Sequence, residues 1–253
     1  MPESTSVWAL LSVAAFLAGA VNSIAGGGTL LTFSSLLTVL SPVPANASST
    51  FALFPGSLAA ALGYRREVSL RRDYLMWLWP PSFLCGLVGS LLVTRLPERV
   101  FAGMVPWLLM GASTLLLLQR PVARWAGAHP HKKPSKRVLA AIIGFQFLVG
   151  VYGGYFGAGI GILMLTSLAF SGIPGIHEMN AIKSVLAATM NVISIVIFGL
   201  AGVIVWKYAI VMAGACAAGG YLGARVARRM SASVVRFIVV IIGFLVGVYS
   251  LFK

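Results

Sequence analysis

Charge is what this chain has least of. Only 9% of its 253 residues are charged and 59% are hydrophobic, where a soluble globular domain carries about 25% charged residues. That shortage excludes an ordinary water-facing surface and reads as a polytopic membrane protein with almost no extramembrane domain. Acidic residues are scarcest of all: Glu3, Glu67, Asp73, Glu98 and Glu178 are the full set, and none sits in the middle of an apolar run. A cation site built from carboxylates is therefore not expected. No group of His, Cys and carboxylates has metal-ligand spacing, which argues against a metalloenzyme or a hydrolase; no cofactor and no catalytic residue are expected. The two cysteines, Cys85 and Cys216, both lie in apolar segments and read as small buried hydrophobes rather than a disulfide or metal pair.

What is present is a surplus of the other sign. Nineteen Lys and Arg give a net charge of +14. In a soluble protein this would point to nucleic acid, but here the basic residues cluster in short loops between apolar runs. Retention of positive loops on the cytoplasmic side explains that pattern better, so the expected partners are the lipid bilayer and a small solute, with no nucleic acid. The segment from Met1 to Asn22 has an Ala18-Gly19-Ala20 sequence like a signal-peptide cleavage site. No basic residue precedes its apolar stretch, which also continues past the site; it reads as a first membrane segment.

Apolar runs fall at 7–25, 28–40, 46–64, 74–94 and 98–118, and again at 138–156, 158–171, 180–204, 207–227 and 232–252. Most reach the ~20 residues that a spanning helix needs. The runs 28–40 and 158–171 are short for a crossing, and the sequence leaves open whether they span or are re-entrant. The two sets match: Asn46-Ala47 recurs at Asn180-Ala181, 134 positions later, and the same shift carries Gly86 to Gly220 and Gly89 to Gly223. Near the glycines the shift is 131, from Gly26-Gly27-Gly28 to Gly157-Ala158-Gly159. This argues for an internal duplication, with repeat 1 at residues 1–119, a basic cytoplasmic linker at 120–137 and repeat 2 at 138–253. Basic loops at 65–73, 119–137 and 225–231 are expected on the cytoplasmic side. Matching loops then lie on opposite faces, so the repeats are inverted and both termini fall on the non-cytoplasmic side. The fold class expected is all-α and polytopic: two inverted repeats of about five helical segments, with glycine-broken helices meeting near the midplane.

The stretch Asn22-Ser-Ile-Ala-Gly-Gly-Gly-Thr29 interrupts the first of these runs. Glycine lets the backbone leave the helix, and backbone groups freed in hydrocarbon must find a partner or a wet cavity. Small residues also line helix–helix contacts, so packing is the competing explanation. Helices restarting near Gly28-Thr29 and Gly159-Ile160 would point positive N-termini and free N–H groups at an anion. Helices beginning near Asn46 and Asn180 would add a second pair of ends. The candidate substrate-binding residues are Asn22, Gly26, Gly27, Gly28, Thr29, Asn46, Thr50, Gly157, Gly159, Asn180 and Lys183. Ser49, Thr50 and Asn191 also suit ordinary hydrogen bonds between helices. Lys183 is a cation inside an apolar run, a functional hypothesis by default, with snorkelling to the interface as its alternative. His177 and Glu178 are candidates for carrying a proton, and Glu178 also suits capping a helix N-terminus. An elementary charge gains ~2.3 kcal/mol per 100 mV, roughly a fifty-fold outward gradient for a monovalent anion. Export of an anion thus needs no coupling.

The motif Asn22 to Thr29, Ala45-Asn-Ala47, Phe54-Pro-Gly-Ser57, Gly63-Tyr-Arg-Arg-Glu67 and the run from Gly150 to Gly161 together resemble the TauE/SafE sulfite exporter family, over essentially the whole chain. The resemblance implies an inner-membrane permease for sulfur-containing anions, either sulfite or a small organosulfonate such as sulfoacetate. By analogy it also implies an oligomer, a homodimer in the simplest case. The expectation is a carrier working by alternating access. The alternatives are an anion channel of the same fold, a transporter of another small organic anion, and, least favoured, a membrane enzyme.

Overall fold

The computed structural model describes residues 4–24, 27–63, 72–128, 136–171, 173, 176–226 and 232–252. Among these the chain is all-helical: α1 (Thr5–Ile24), α2 (Gly28–Leu36), α3 (Pro42–Gly63), α4 (Arg72–Arg95), α5 (Glu98–Ala128), α6 (Lys136–Tyr155), α7 (Ile160–Ala169), α8 (Ile176–Leu200), α9 (Trp206–Val226) and α10 (Ala232–Leu251). Among the described residues, five segments are long and apolar enough to cross a membrane: Thr5–Asn22, Arg72–Arg95, Glu98–Leu118, Arg137–Tyr155 and Glu178–Leu200. Their outward faces carry large apolar side chains such as Met76, Trp77, Trp107, Leu148 and Val196, which in water would be a liability and in lipid are the expected surface.

α2 and α7 have nine and ten residues. At ~1.5 Å per residue they reach only about half of the ~30 Å hydrocarbon thickness. The short runs are therefore half-helices, and neither crosses alone. α3 starts at Pro42, where a proline costs nothing because the first helical N–H has no partner in any case. Asn46 consequently lies one turn inside α3, not at its start, and Asn180 lies one turn inside α8. α5 runs on to Ala128 through Pro106 and Pro121, so the first part of the expected linker is helix. The basic stretches 64–71, 129–135 and 227–231 lie outside the described residues.

Close backbone contacts set the packing. Gly219 of α9 rests on the backbone of Phe16 in α1, and Gly19 of α1 on that of Cys216. Gly89 of α4 rests on Val151 of α6, and Gly154 of α6 on Gly86. A Cβ at any of these positions would collide with main chain, so glycine is what allows the helices to touch. Trp8 meets Tyr208 at 5.2 Å, so α1 and α9 run side by side in one direction. α4 and α6 do likewise, because Ser82 meets Gln146 and Ser90 meets the Gly154 carbonyl at the same interval of 64 positions. Exchanging the first five helices for the last five converts one pairing into the other. α3 and α8 lie between these pairs and carry the site.

Several polar groups buried between helices are paired. Ser90 meets Ser194 at 2.8 Å, Gln146 donates to Ser82 at 2.8 Å, Thr32 meets Ser49 at 2.6 Å, and the Val205 amide donates to Ser48 at 3.0 Å. Such bonds average about 0.6 kcal/mol in membrane proteins. They fix register more than they add stability. Cys85 and Cys216 are buried and free.

Candidate functional site

The break between α1 and α2 ends at Gly27, which has φ 90° and caps α2; the break between α6 and α7 ends at Gly159, with φ 76°, capping α7. Both sit in the left-handed region that glycine alone adopts cheaply. The equivalence of these caps, Gly27 with Gly159, is one residue off the sequence match of Gly28 with Gly159. Among the described residues, part of the freed backbone is satisfied locally. Asn22 Oδ1 accepts from the Gly28 amide at 3.0 Å, Tyr152 donates its hydroxyl to the Ala158 carbonyl at 2.7 Å, and the amides of Phe156 and Gly157 donate to the Tyr152 carbonyl.

The two half-helices start on one cavity of about 180 Å³. Asn22 from α1, Gly27 and Thr29 from the first break, and Thr50, Leu53 and Ser57 from one face of α3 line it. Opposite them are Gly153, Phe156 and Gly157 at the end of α6, Gly159, Ile160 and Gly161 at the start of α7, and Lys183, Ala187 and Asn191 at four-residue intervals on α8. Leu116, Ile162 and Leu165 complete the wall. Lys183 is the one charged side chain in this lining, and no carboxylate joins it. Its stem lies over the first turn of α7, where a Cβ on Gly161 would stand 3.2 Å from Lys183 Cδ. Its ammonium donates to Asn180 Oδ1 at 2.7 Å. The Gly161 amide is the second of its helix and has no acceptor within it. Among the described residues no group of His, Cys, Asp or Glu is arranged to hold a metal ion.

One end of the cavity is bounded by Phe156, which is buried in an aromatic group. Phe156 packs on Phe33 at 5.1 Å and lies 6.5 Å from Phe101, and Phe101 meets Tyr155 at 5.2 Å. This aromatic group belongs to a large buried core that includes the starts of α3, α5 and α9 and the ends of α4, α6 and α8. At the other end Asn22 is exposed. It stands near the end of α1, on the side where α3 and α9 lead into the basic segments.

Of the residues expected from sequence, Asn22, Gly27, Thr29, Thr50, Gly157, Gly159 and Lys183 line the cavity. Gly28 stands behind the wall, bonded to Asn22. Asn46 is buried away from the cavity and donates to the Tyr155 carbonyl at 3.0 Å. Asn180 is behind Lys183 and is not a lining residue. Gly26 and the side chain of His177 lie outside the described residues. Glu178 is in the first turn of α8. The sequence reading omitted Ser57 and Gly161 and treated Asn191 as a packing residue. Asn191 does bond across to Ser57, at 2.9 Å, while lining the cavity. The signal was available: the two positions are 134 apart, the same interval that separates Asn46 from Asn180.

Comparison with known proteins adds the following. A family model described as "Sulfite exporter TauE/SafE" matches residues 11–250. A "Probable membrane transporter protein" of Haemophilus influenzae is 31% identical over 242 residues, covering 94% of this chain and 91% of that protein. "Probable membrane transporter protein ORF9" of Sinorhizobium sp. is 30% identical, covering 92% and 88%. "Probable membrane transporter protein YfcA" of Escherichia coli is 30% identical, covering 87% and 79%. No solved structure matches the chain.

Proposed function

The chain belongs to the TauE/SafE sulfite exporter family, and from that membership and the geometry of the cavity we propose that this membrane transporter exports a small sulfur-containing anion, sulfite or a small organosulfonate such as sulfoacetate. One observation carries the reading: two helix N-termini and one lysine converge on a cavity that, among the described residues, no carboxylate lines. Helix N-termini favour an anion by about 0.3–1 kcal/mol each, more when partly buried. A lone ammonium in the same space excludes cations. The volume of about 180 Å³ is below the ~300 Å³ at which drug-sized pockets begin, so the cargo is small. A sulfonate or sulfite head offers three acceptor oxygens, which suit the Lys183 ammonium, the Gly161 amide and the Asn22 amide together.

The closed aromatic end favours a carrier over an open channel. We assign the open end to the cytoplasm, because it lies on the side of the basic segments, and place both termini on the other face of the bacterial inner membrane. Transport then proceeds by alternating access between two inverted halves, residues 1–119 and 138–253, with the membrane potential driving the anion outward. A binding screen of the purified protein against sulfite, sulfate, sulfoacetate, taurine and acetate tests this. A true substrate raises the melting temperature, by an amount that grows with the logarithm of its concentration above the dissociation constant. Stabilisation by acetate with none by sulfite or sulfoacetate would point to another organic anion.

A further inference from the structure

Asn46 and Asn180 hold equivalent positions, one turn into α3 and α8, yet they are used differently. Asn46 is 1% exposed, and its Nδ2 donates at 3.0 Å to the carbonyl of Tyr155, the last residue of α6 before the glycine break. Its Oδ1 is buried with no partner. An unpaired buried acceptor is costly, so the amide is retained here for its donor half alone. The bond ties α3 to the end of α6 beside Phe156, where the aromatic group closes the cavity. Asn180 makes no such tie; among the described residues its side chain bonds Lys183. The counterpart of Tyr155 is Ile24, the last residue of α1 before the other glycine break.

We propose that Asn46 and Asn180 are alternating latches for the two gates of the carrier. In the state seen here Asn46 holds the end of α6 and keeps the aromatic end shut, while Asn180 is disengaged and the end near Asn22 is open. In the opposite state Asn180 donates to the Ile24 carbonyl, and Asn46 releases Tyr155. The inference rests on the alternating-access reading above.

The exchange also links the latch to the cargo. When latched, the amide oxygen has no partner, as Asn46 Oδ1 shows: Ser49, one turn on at the position matching Lys183, bonds Thr32 instead. Asn180 in its latched position likewise gives up Lys183. The ammonium is then left unpaired in a closing cavity unless an anion is present to take it. A loaded carrier closes the inner gate; an empty one stays open.

The test uses the full chain in proteoliposomes, with Cys85 and Cys216 replaced by alanine and a reporter Ala187→Cys in the cavity wall. A membrane-impermeant thiol reagent is applied from either face. The parent protein should label from the face carrying the basic segments. Asn46→Leu, close in shape to asparagine, should shift the labelling ratio toward the opposite face by about threefold, the effect of one average hydrogen bond between membrane helices. Asn180→Leu should leave the ratio on the basic face. Sulfoacetate should shift the parent toward the opposite face but not Asn180→Leu. An unchanged ratio in folded Asn46→Leu, or failure of both Asn46→Leu and Asn46→Ala to fold, overturns the latch and makes Asn46 a packing residue. If the parent binds none of the sulfur anions but Asn46→Leu still shifts the ratio, the substrate assignment falls and the latch stands.

Discussion

Replacing Lys183 by methionine removes the charge from the cavity and keeps most of the side chain's length, so packing over Gly161 is retained. The loss in affinity follows from the geometry. An anion about 4 Å from the ammonium gains roughly 4 kcal/mol at the effective dielectric of a protein surface. Against this stands the bond to Asn180 at 2.7 Å, worth about 1 kcal/mol net or somewhat more because the donor is charged. Desolvating the anion takes part of the rest. A net ~2 kcal/mol remains, a roughly thirty-fold weaker dissociation constant. Titration calorimetry with the anion found in the binding screen, at fixed ionic strength, measures it. Lys183→Arg should still bind, because the charge is kept, but should translocate more slowly if its bidentate grip holds the anion. Retention of both affinity and flux by Lys183→Met, within about twofold of wild type, would refute the reasoning. Lys183 would then be an interfacial anchor, leaving the site to the backbone amides and Asn22.

Gly28→Leu places a Cβ 2.7 Å from the Ala18 carbonyl and 3.1 Å from the Asn22 side chain; it should abolish anion binding, while circular dichroism still reports an inserted helical protein. Gly27→Leu adds strain of about 1–3 kcal/mol at a positive φ and a collision with Leu116, so its melting temperature should fall as well as its affinity. Gly154→Leu drives a side chain into the backbone of Gly86 and should prevent folding altogether, read as loss of the monodisperse species in detergent. Cysteine labelling of intact cells should find both termini on the non-cytoplasmic face; a C-terminal tag reachable only from the cytoplasm would overturn the inverted arrangement.

The parts of the site that depend on residue type were legible in the sequence. Three glycines inside an apolar run announce a break, a lysine in such a run marks a polar position, and the absence of central carboxylates is what makes an anion the proposed ligand. Parts that depend on geometry were not. Glycine identity does not say which glycine takes the positive φ, and the two breaks differ in length by one residue, so the caps fell on Gly27 and Gly159 rather than on the matched pair. Ser57 was hidden because α3 is small or apolar nearly all round, with no polar face to mark what points inward. Asn46 and Asn180 were read as helix-end donors to a ligand; Pro42 starts α3 a turn earlier, which moves Asn46 behind the wall. The exact repeat of their spacing was visible, but its meaning needed the carbonyl of Tyr155, a group that every residue carries.

Counterflow in proteoliposomes tests the central claim most directly. Vesicles loaded with unlabelled sulfoacetate or sulfite should accumulate the labelled anion from outside transiently and saturably. The uptake should be lost in Gly28→Leu and strongly reduced in Lys183→Met. Linear, non-saturating flux without counterflow would contradict a carrier. Counterflow of acetate alone, with neither sulfur anion moving, would contradict the substrate.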